Sequence, residues 1–250
     1  MENIPVGRLT LDDGEELKNG NYDKGVVEKF LDYPDAPCYD NTPDAIELIC
    51  RLLGEHDKVT IVATGTLRNV CTLIKNHSDL VKEKVEEIAI MGCNFWHENG
   101  INPLPEYVNP DGSIDPVCEW NIFCSIPSAQ YVFDNCPVKI VCSPFELGLN
   151  MFTGKPMYHA TNGEAPDSYA LGIHGSCEGR HSWDPATALY GIYGASPWFY
   201  KTVNGRITIT DDGVAHFSSL TPANQYIIEC AMSREKIAEE IDSRIMRLFN

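Results

Sequence analysis

The chain has 250 residues, enough for one large domain with a substantial buried core. It carries 19 basic and 36 acidic residues, a formal net charge of −17, which argues against nucleic acid or an anionic membrane as a partner because both would repel it. Its ten cysteines are too sparse for a disulfide scaffold and include no Cys-x-x-Cys pair, which argues against a zinc site or a thioredoxin-like motif.

The sequence contains no apolar stretch that approaches the roughly 18 residues of a membrane helix. Its first residues show neither the basic segment nor the apolar core of an export signal. We therefore expect a cytoplasmic protein, although a signal upstream of Met1 would lie outside this sequence.

The first three-fifths of the chain alternates helical patterns with short apolar runs. In chain order the pattern predicts a helix over 43–54, capped by Asn41 or Thr42, a strand over 58–63, a helix over 67–76, a strand over 87–91, a helix over 127–134 and a strand over 138–142. Strands separated by helices pair in parallel, so the sequence predicts an open, mostly parallel α/β sheet with helices on both faces.

The remaining segments are less regular. Residues 94–118 and 158–182 are polar with little periodicity, and loops of that length usually cover or form a site. A helix is predicted from Asp184 to Tyr193, a small β-hairpin over 206–217, and a final helix with an apolar stripe of Ile237, Ile241, Ile245 and Leu248. We expect residues 1–250 to form a single domain.

Ligands of open parallel sheets bind beyond the carboxyl ends of the strands. Five polar segments follow predicted strands or begin helices: residues 64–69, 91–94, 119–121, 143–146 and 182–184. Taken singly each has a simpler explanation, because a Thr-Gly turn ends a strand and an aspartate before proline caps a helix. Their common placement favours a ligand site.

Four segments, 62–69 (VATGTLRN), 88–92 (IAIMG), 119–121 (EWN) and 183–185 (WDP), are similar in order and spacing to the inosine–uridine preferring nucleoside hydrolases. The resemblance runs from about residue 4 to the C-terminal helix, and residues 145–148 and 182–184 resemble a bacterial branch of that family. It implies a Rossmann-like α/β fold and calcium-dependent hydrolysis of ribonucleosides to a free base and ribose. The implied partner is a small-molecule nucleoside, and a homo-oligomer is compatible with the sequence.

The resemblance also implies roles for particular residues. Two would supply oxygen ligands to Ca²⁺, through the Asp184 carboxylate and the Thr64 backbone carbonyl. Four would line the ribose site: Met91, Asn99, Glu119 and Asn121. These roles are physically reasonable, because calcium takes oxygen ligands and a carboxylate stabilises the oxocarbenium-like ribose that forms as the bond breaks.

Two departures from the family pattern bear on activity. By this resemblance, the family's Asp-x-Asp-x-x-x-Asp-Asp segment, which supplies further calcium ligands and the general base, is expected to lie before the first residue of this sequence, since no apolar strand precedes Asp12-Asp13-Gly14. We therefore assign no catalytic base, and expect an incomplete calcium site, an exposed sheet edge and little activity from this chain alone. The alternative is a non-catalytic remnant that binds a ribosyl ligand or a partner subunit, and a purely structural domain is a third possibility.

The second departure concerns the acid that protonates the leaving base. Trp183 stands where many family members carry a histidine. His181 or His97 could replace it, and Glu98 and Glu106 are alternative acids, although loop residues of these types are more often solvated bystanders. The leaving-group acid is therefore unassigned at this stage.

Overall fold

The computed structural model describes residues 4–10, 23–30, 42–99 and 104–248. The helices are α1 (Asp23–Phe30), α2 (Ala45–Glu55), α3 (Arg68–Lys84), α4 (Trp96–Asn99), a 3₁₀ turn (Pro105–Tyr107), α5 (Trp120–Phe123), α6 (Ile126–Asn135), α7 (Phe145–Gly148), α8 (Lys155–Thr161), α9 (Pro166–Ile173), α10 (Trp183–Tyr193) and α11 (Arg234–Met246). The strands are β1 (Val59–Ala63), β2 (Val85–Met91), β3 (Lys139–Ser143), β4 (Phe152–Thr153), β5 (Arg180–His181), β6 (Phe199–Lys201), β7 (Arg206–Ile209), β8 (Ala215–Ser218) and β9 (Gln225–Cys230). Within these ranges no helix has the length and apolar character needed to span a bilayer.

The central sheet has the strand order β1-β2-β3-β9-β6. The first four strands are parallel, and β6 pairs antiparallel with β9. Ala63 lies opposite Ile90, and Met91 lies opposite Ser143, so the carboxyl ends of β1, β2 and β3 meet along one edge. The predicted open, mostly parallel α/β sheet is confirmed, as is the hairpin, which β7 and β8 form.

Alternation along the central strands divides the core between the two faces of the sheet. Ile88 and Ile90 contribute to a core that also contains apolar residues of α2, α3 and α6. Ala89, between them in sequence, and Val141 face the opposite core, which contains residues of α10 and α11. The period of two therefore gives both faces an apolar surface, and helices cover each of them.

The N-terminal half differs from the prediction in its helix ends. Helix α2 is capped by Asp44, rather than by Asn41 or Thr42, because the Asp44 carboxylate accepts hydrogen bonds from the amides of Ile46 (2.8 Å) and Glu47 (3.1 Å). Helix α3 runs to Lys84 instead of residue 76, since the helix resumes after one non-helical residue at His77.

The C-terminal half contains elements that the pattern did not predict. Helix α9 and strand β5 lie within the segment 158–182, helix α8 overlaps its start, and the central sheet gains β9 and β6. In α11 the predicted stripe is confirmed for Ile237 and Ile241, which are buried, but it is wrong for Leu248, which lies past the helix with 71% of its surface exposed.

Candidate functional site

The loops that follow β2 and β3 are joined at the carboxyl edge of the sheet. The amide of Gly92 donates to the carbonyl of Ser143 (3.3 Å), and the amide of Phe145 donates to the carbonyl of Cys93 (2.9 Å). Cys93 has a φ of 67°, in the left-handed region that a non-glycine residue rarely adopts. The hydrogen-bonded loops after β2 and β3 thus form a rigid platform, on which side chains from other segments are positioned.

Glu119 is held at this platform as the N-cap of the short helix α5. Its Oε2 accepts hydrogen bonds from the amides of Asn121 (2.9 Å) and Ile122 (3.2 Å), and only 6% of the residue is exposed. A glutamate that caps a helix so closely has little rotational freedom. The carboxylate is therefore fixed in position before any ligand arrives.

Asn121 connects α5 to the end of β2. Its Nδ2 donates to the carbonyl oxygen of Met91 (3.2 Å) and lies 3.0 Å from the Met91 sulfur. Met91 itself is buried. The structure thus brings together three of the four residues predicted to line the ribose site: Met91, Glu119 and Asn121. The side chain of the fourth, Asn99, is outside the described part of the chain, although its backbone ends α4.

The direction of α10 places Asp184 at the same edge. At the start of the helix, Trp183 Nε1 donates to the carbonyl of Phe145, just after β3 (2.9 Å). Seven residues later, the Tyr190 hydroxyl donates to Glu87, in the amino-terminal half of β2 (2.8 Å). The helix therefore runs antiparallel to the strands, and its first turn, with Asp184, lies beside their carboxyl ends.

A close approach between α10 and β1 depends on Gly191. A Cβ atom there would lie 2.3 Å from the Val62 Cγ2, so only glycine allows this contact without displacement. Thr64 follows β1 directly and is exposed at the edge. The close contact at Gly191 therefore fixes the position of α10, and with it that of its first turn, relative to the end of β1.

Ionisation is disfavoured at both acidic groups of the site. Burial raises the pKa of Glu119 to about 7, against the opposing effect of its backbone hydrogen bonds, and the nearby Asp184 carboxylate raises it further. The pKa of Asp184 is also raised, because protein atoms crowd the carboxyl group although it remains accessible to solvent; Arg180 opposes this shift.

Two neighbouring acids with raised pKa values form a favourable environment for a cation, which would stabilise both charged forms. The oxygen donors present, the Asp184 carboxylate and the Thr64 carbonyl, are of the type that hard divalent cations prefer. The residues of this edge therefore offer two oxygen donors of the kind that a hard divalent cation needs, and further ligands are required beyond these two.

Trp183 functions in packing. Besides the hydrogen bond to Phe145, its ring stacks on the Phe145 ring with centroids 4.9 Å apart. A Cβ at Gly148 would lie 2.7 Å from the Trp183 Cα, so the start of α10 packs directly on the end of α7. The indole N–H is already used and offers no proton to a leaving base.

His181 is held in a defined orientation beside this indole. Its Nδ1 accepts a hydrogen bond from the amide of Asn150 (2.9 Å), and its ring packs between Phe152 and Trp183. Burial lowers the pKa of His181, and the charge of Arg180 lowers it further. His181 and Asp184 both line a cavity of about 310 Å³. The imidazole is therefore neutral near pH 7, with its remaining proton on Nε2.

The other acid candidates lie in the long polar segment before α5. Burial lowers the pKa of His97. Glu98 is held by the β7–β8 hairpin, because its carboxylate accepts a hydrogen bond from the amide of Phe217 (3.1 Å). The side chain of Glu106 is outside the described part of the chain. Neither His97 nor Glu98 contacts the group formed by Met91, Glu119 and Asn121 in the interactions that the structure describes.

Glu146 is a further acid to which the sequence had assigned no role. Its Oε1 accepts from the amide of Phe95, its buried Oε2 has no hydrogen-bond partner among the described residues, and burial raises its pKa to about 7. It lines a cavity of about 650 Å³ together with Phe217 and Arg234. An acid placed directly after a predicted strand was the available signal, but its burial depends on packing from distant segments.

The family described as inosine-uridine preferring nucleoside hydrolase matches residues 13–216. The chain is 35% identical over 92 residues to pyrimidine-specific ribonucleoside hydrolase RihA of Enterobacter sp. (strain 638), covering 36% of this chain and 25% of that protein. It is 31% identical over 141 residues to the RihA of Citrobacter koseri, covering 55% and 38%. The matches thus span about a quarter to two-fifths of these relatives.

Solved structures share the fold over a larger part of the chain. An inosine-guanosine nucleoside hydrolase superposes with a TM-score of 0.67 at 15% identity, covering 98% of this chain and 81% of that one. A plant nucleoside hydrolase superposes with a TM-score of 0.63 at 19% identity over the same shares. At such identities these likenesses establish the fold.

Proposed function

The chain belongs to the inosine-uridine preferring nucleoside hydrolase family, and from this premise we propose that it acts on the N-glycosidic bond of ribonucleosides, releasing a free base and ribose. The observation that carries the proposal is the group of Met91, Glu119 and Asn121 at the carboxyl edge of the sheet, with the Asp184 carboxylate close enough to raise the pKa of Glu119. The names of the relatives include pyrimidine-specific and inosine-guanosine enzymes, so the proposal concerns the ribose common to both.

In the proposed reaction, Glu119 and Asn121 bind the ribose hydroxyls and fix the ring at the edge of the sheet. Asn99 is proposed to contribute its carboxamide to the same sugar. Positive charge develops on the ribose as the bond to the base breaks, and carboxylates close to the ring stabilise it. Because the Glu119 carboxylate is already fixed as the cap of α5, little reorganisation is needed when that charge appears.

We propose that the metal ion of this family is Ca²⁺ here, bound by the Asp184 carboxylate and the Thr64 carbonyl. Calcium takes about six to eight oxygen ligands, so water, substrate hydroxyls or other carboxylates must complete its coordination. When bound, the ion would orient a water molecule and lower its pKa. Its charge would also favour the ionised form of Glu119, which is only about half populated near pH 7 otherwise.

The test measures sugar binding and base release separately. The protein is titrated with ribose by calorimetry in millimolar Ca²⁺, and free base is assayed from inosine and uridine. We expect Glu119→Gln and Asn121→Ala each to weaken ribose binding by roughly 10- to 100-fold, the equivalent of one lost hydrogen bond to a charged or polar partner. Glu239→Gln, an exposed acid on α11, is the matched control.

The outcomes distinguish a hydrolase from a non-catalytic ribosyl-binding protein. Base release that falls in both variants and is unchanged in the control supports the hydrolase. Because no catalytic base is assigned in this chain, we expect the wild type to release base slowly but measurably. Ribose binding without any base release supports a non-catalytic ribosyl-binding protein and contradicts the proposed activity. Absence of ribose binding, or equal binding by all variants, contradicts the site itself.

A further inference from the structure

A cluster of side chains of the types that bind metal ions lies outside the proposed ribose site. His97 and Glu98 belong to α4 and His216 to β8, and one ligand atom from each lies within 4.8 Å of the other two. His216 Nδ1 lies 2.8 Å from Glu98 Oε1, and His97 Nε2 lies 3.9 Å from the same oxygen. The rings of His97 and His216 meet edge to face, with centroids 5.3 Å apart. Residues 118 positions apart in the chain thus converge on one point.

The His97 ring provides an independent indication of a ligand. Both its nitrogens are buried and lack a hydrogen-bond partner in the described structure, and only 11% of the side chain is exposed. Both ring nitrogens are therefore left without the hydrogen bonds that buried polar atoms normally form. A bound ion would supply the missing partner for Nε2.

Glu98 is already oriented for coordination. One carboxylate oxygen contacts His216, and the other accepts from the amide of Phe217, which fixes the plane of the carboxylate. Outer contacts of this kind orient ligands in established metal centres. The ring of Phe217 in turn packs edge to face on Phe95, one residue before α4, so both sides of the cluster are anchored.

We propose that His97, Glu98 and His216 bind a divalent transition-metal ion of the zinc type. Two imidazoles and one carboxylate form a ligand set that Zn²⁺ uses with a fourth, open position. Bond lengths of about 2.0–2.2 Å in a tetrahedral site require ligand atoms about 3.3 Å apart. The distances of 2.8 and 3.9 Å to Glu98 Oε1 lie on either side of that value, so small side-chain rotations complete the site.

The electrostatic environment also favours binding of a cation. The formal net charge of −17 attracts cations to the protein. The site uses no cysteine, so the absence of Cys-x-x-Cys pairs does not bear on it. A metal here would join α4, which ends at Asn99, to the hairpin.

The test is titration of the full chain with Zn²⁺ and with Co²⁺ as a spectroscopic substitute, in the presence of excess Ca²⁺. The variants are His97→Ala, Glu98→Gln and His216→Ala, with the exposed His56→Ala as the matched control. We expect the wild type and the control to bind Co²⁺ with d–d bands typical of nitrogen and oxygen ligands. Each ligand variant should bind at least about 10-fold more weakly, as loss of even an outer contact can cause.

His97→Ala is the decisive variant, because within the described ranges the ring nitrogens of His97 form no protein hydrogen bond whose loss could disturb the fold. Circular dichroism verifies that each variant is folded. Unchanged affinity in His97→Ala and His216→Ala would overturn the proposal. Thiolate-to-cobalt charge-transfer bands that persist in all variants would also overturn it, since they would locate the ion on the cysteines. Neither outcome depends on nucleoside hydrolysis.

Discussion

Replacement of Glu119 by glutamine should stabilise the protein above neutral pH while impairing ribose binding. The pKa of Glu119 is about 7 in the folded protein, against an ordinary value of 4.5, so the native state binds the proton more tightly than the unfolded chain. The free energy of unfolding therefore falls as the pH rises from about 4.5 to 7. A difference of about 2.5 pH units corresponds to roughly 3 kcal/mol lost once the carboxyl group is ionised.

Glutamine cannot ionise, so the variant avoids this loss. Its side-chain oxygen can still accept from the amides of Asn121 and Ile122, as the protonated carboxyl group of the wild type does at low pH. We expect Glu119→Gln to be more stable than the wild type by about 3 kcal/mol at pH 8. At pH 4.5, where both side chains are neutral, the advantage disappears.

Urea denaturation at pH 4.5 and pH 8 without added calcium measures this difference directly. In a chain of this size 3 kcal/mol corresponds to a Tm increase of roughly 6–12 °C. Glu239→Gln should match the wild type at both pH values, because its side chain is exposed. A stability difference for Glu119→Gln that is the same at both pH values would refute the reasoning that burial raises the pKa of this carboxyl group.

Three further predictions concern the fold. Asp44→Ala removes the carboxylate that caps α2 and should lower the free energy of unfolding by about 1 kcal/mol in urea denaturation, and equal stability would contradict the cap. Gly148→Ala places a Cβ 2.7 Å from the Trp183 Cα and should lower the free energy of unfolding by about 1–3 kcal/mol. The control Gly54→Ala, in α2, places a Cβ with nothing within 4 Å and should leave stability unchanged or raise it. Similar effects of the two substitutions would contradict the close packing of α7 on α10. We also propose that residues 1–250 unfold as one domain, which calorimetry should show as a single transition, and two separate transitions would contradict it.

Much of the sheet could be predicted from the sequence because its first three strands are short apolar runs between predicted helices. β9 was not predicted, since its partner β3 lies some 80 residues earlier and the pairing is not visible in local pattern. Helices α8 and α9 are only seven and eight residues long, too short for a clear period of 3.6. Each of them has a proline in its first turn. Because proline is common both at helix starts and in loops, the local sequence did not distinguish the two.

The candidate site, too, could be predicted from the sequence only in part. Position after a strand, together with the family resemblance, indicated Met91, Glu119, Asn121 and Asp184. The raised pKa of Glu119 could not be predicted, because it arises from burial and from Asp184, 65 positions later in the chain. The unpaired oxygen of Glu146 and the convergence of His97 with His216 likewise depend on contacts between distant segments. Sequence patterns identify polar residues at strand ends, and tertiary packing determines their ionisation.

The most direct test of the account is a crystal structure of the protein with Ca²⁺ and ribose. We predict sugar hydroxyls within hydrogen-bond distance of Glu119 and Asn121, and the cation between the Asp184 carboxylate and the Thr64 carbonyl. Ribose bound elsewhere, for example in the cavity lined by Glu146 and Arg234, or calcium without a contact to Asp184, would contradict it.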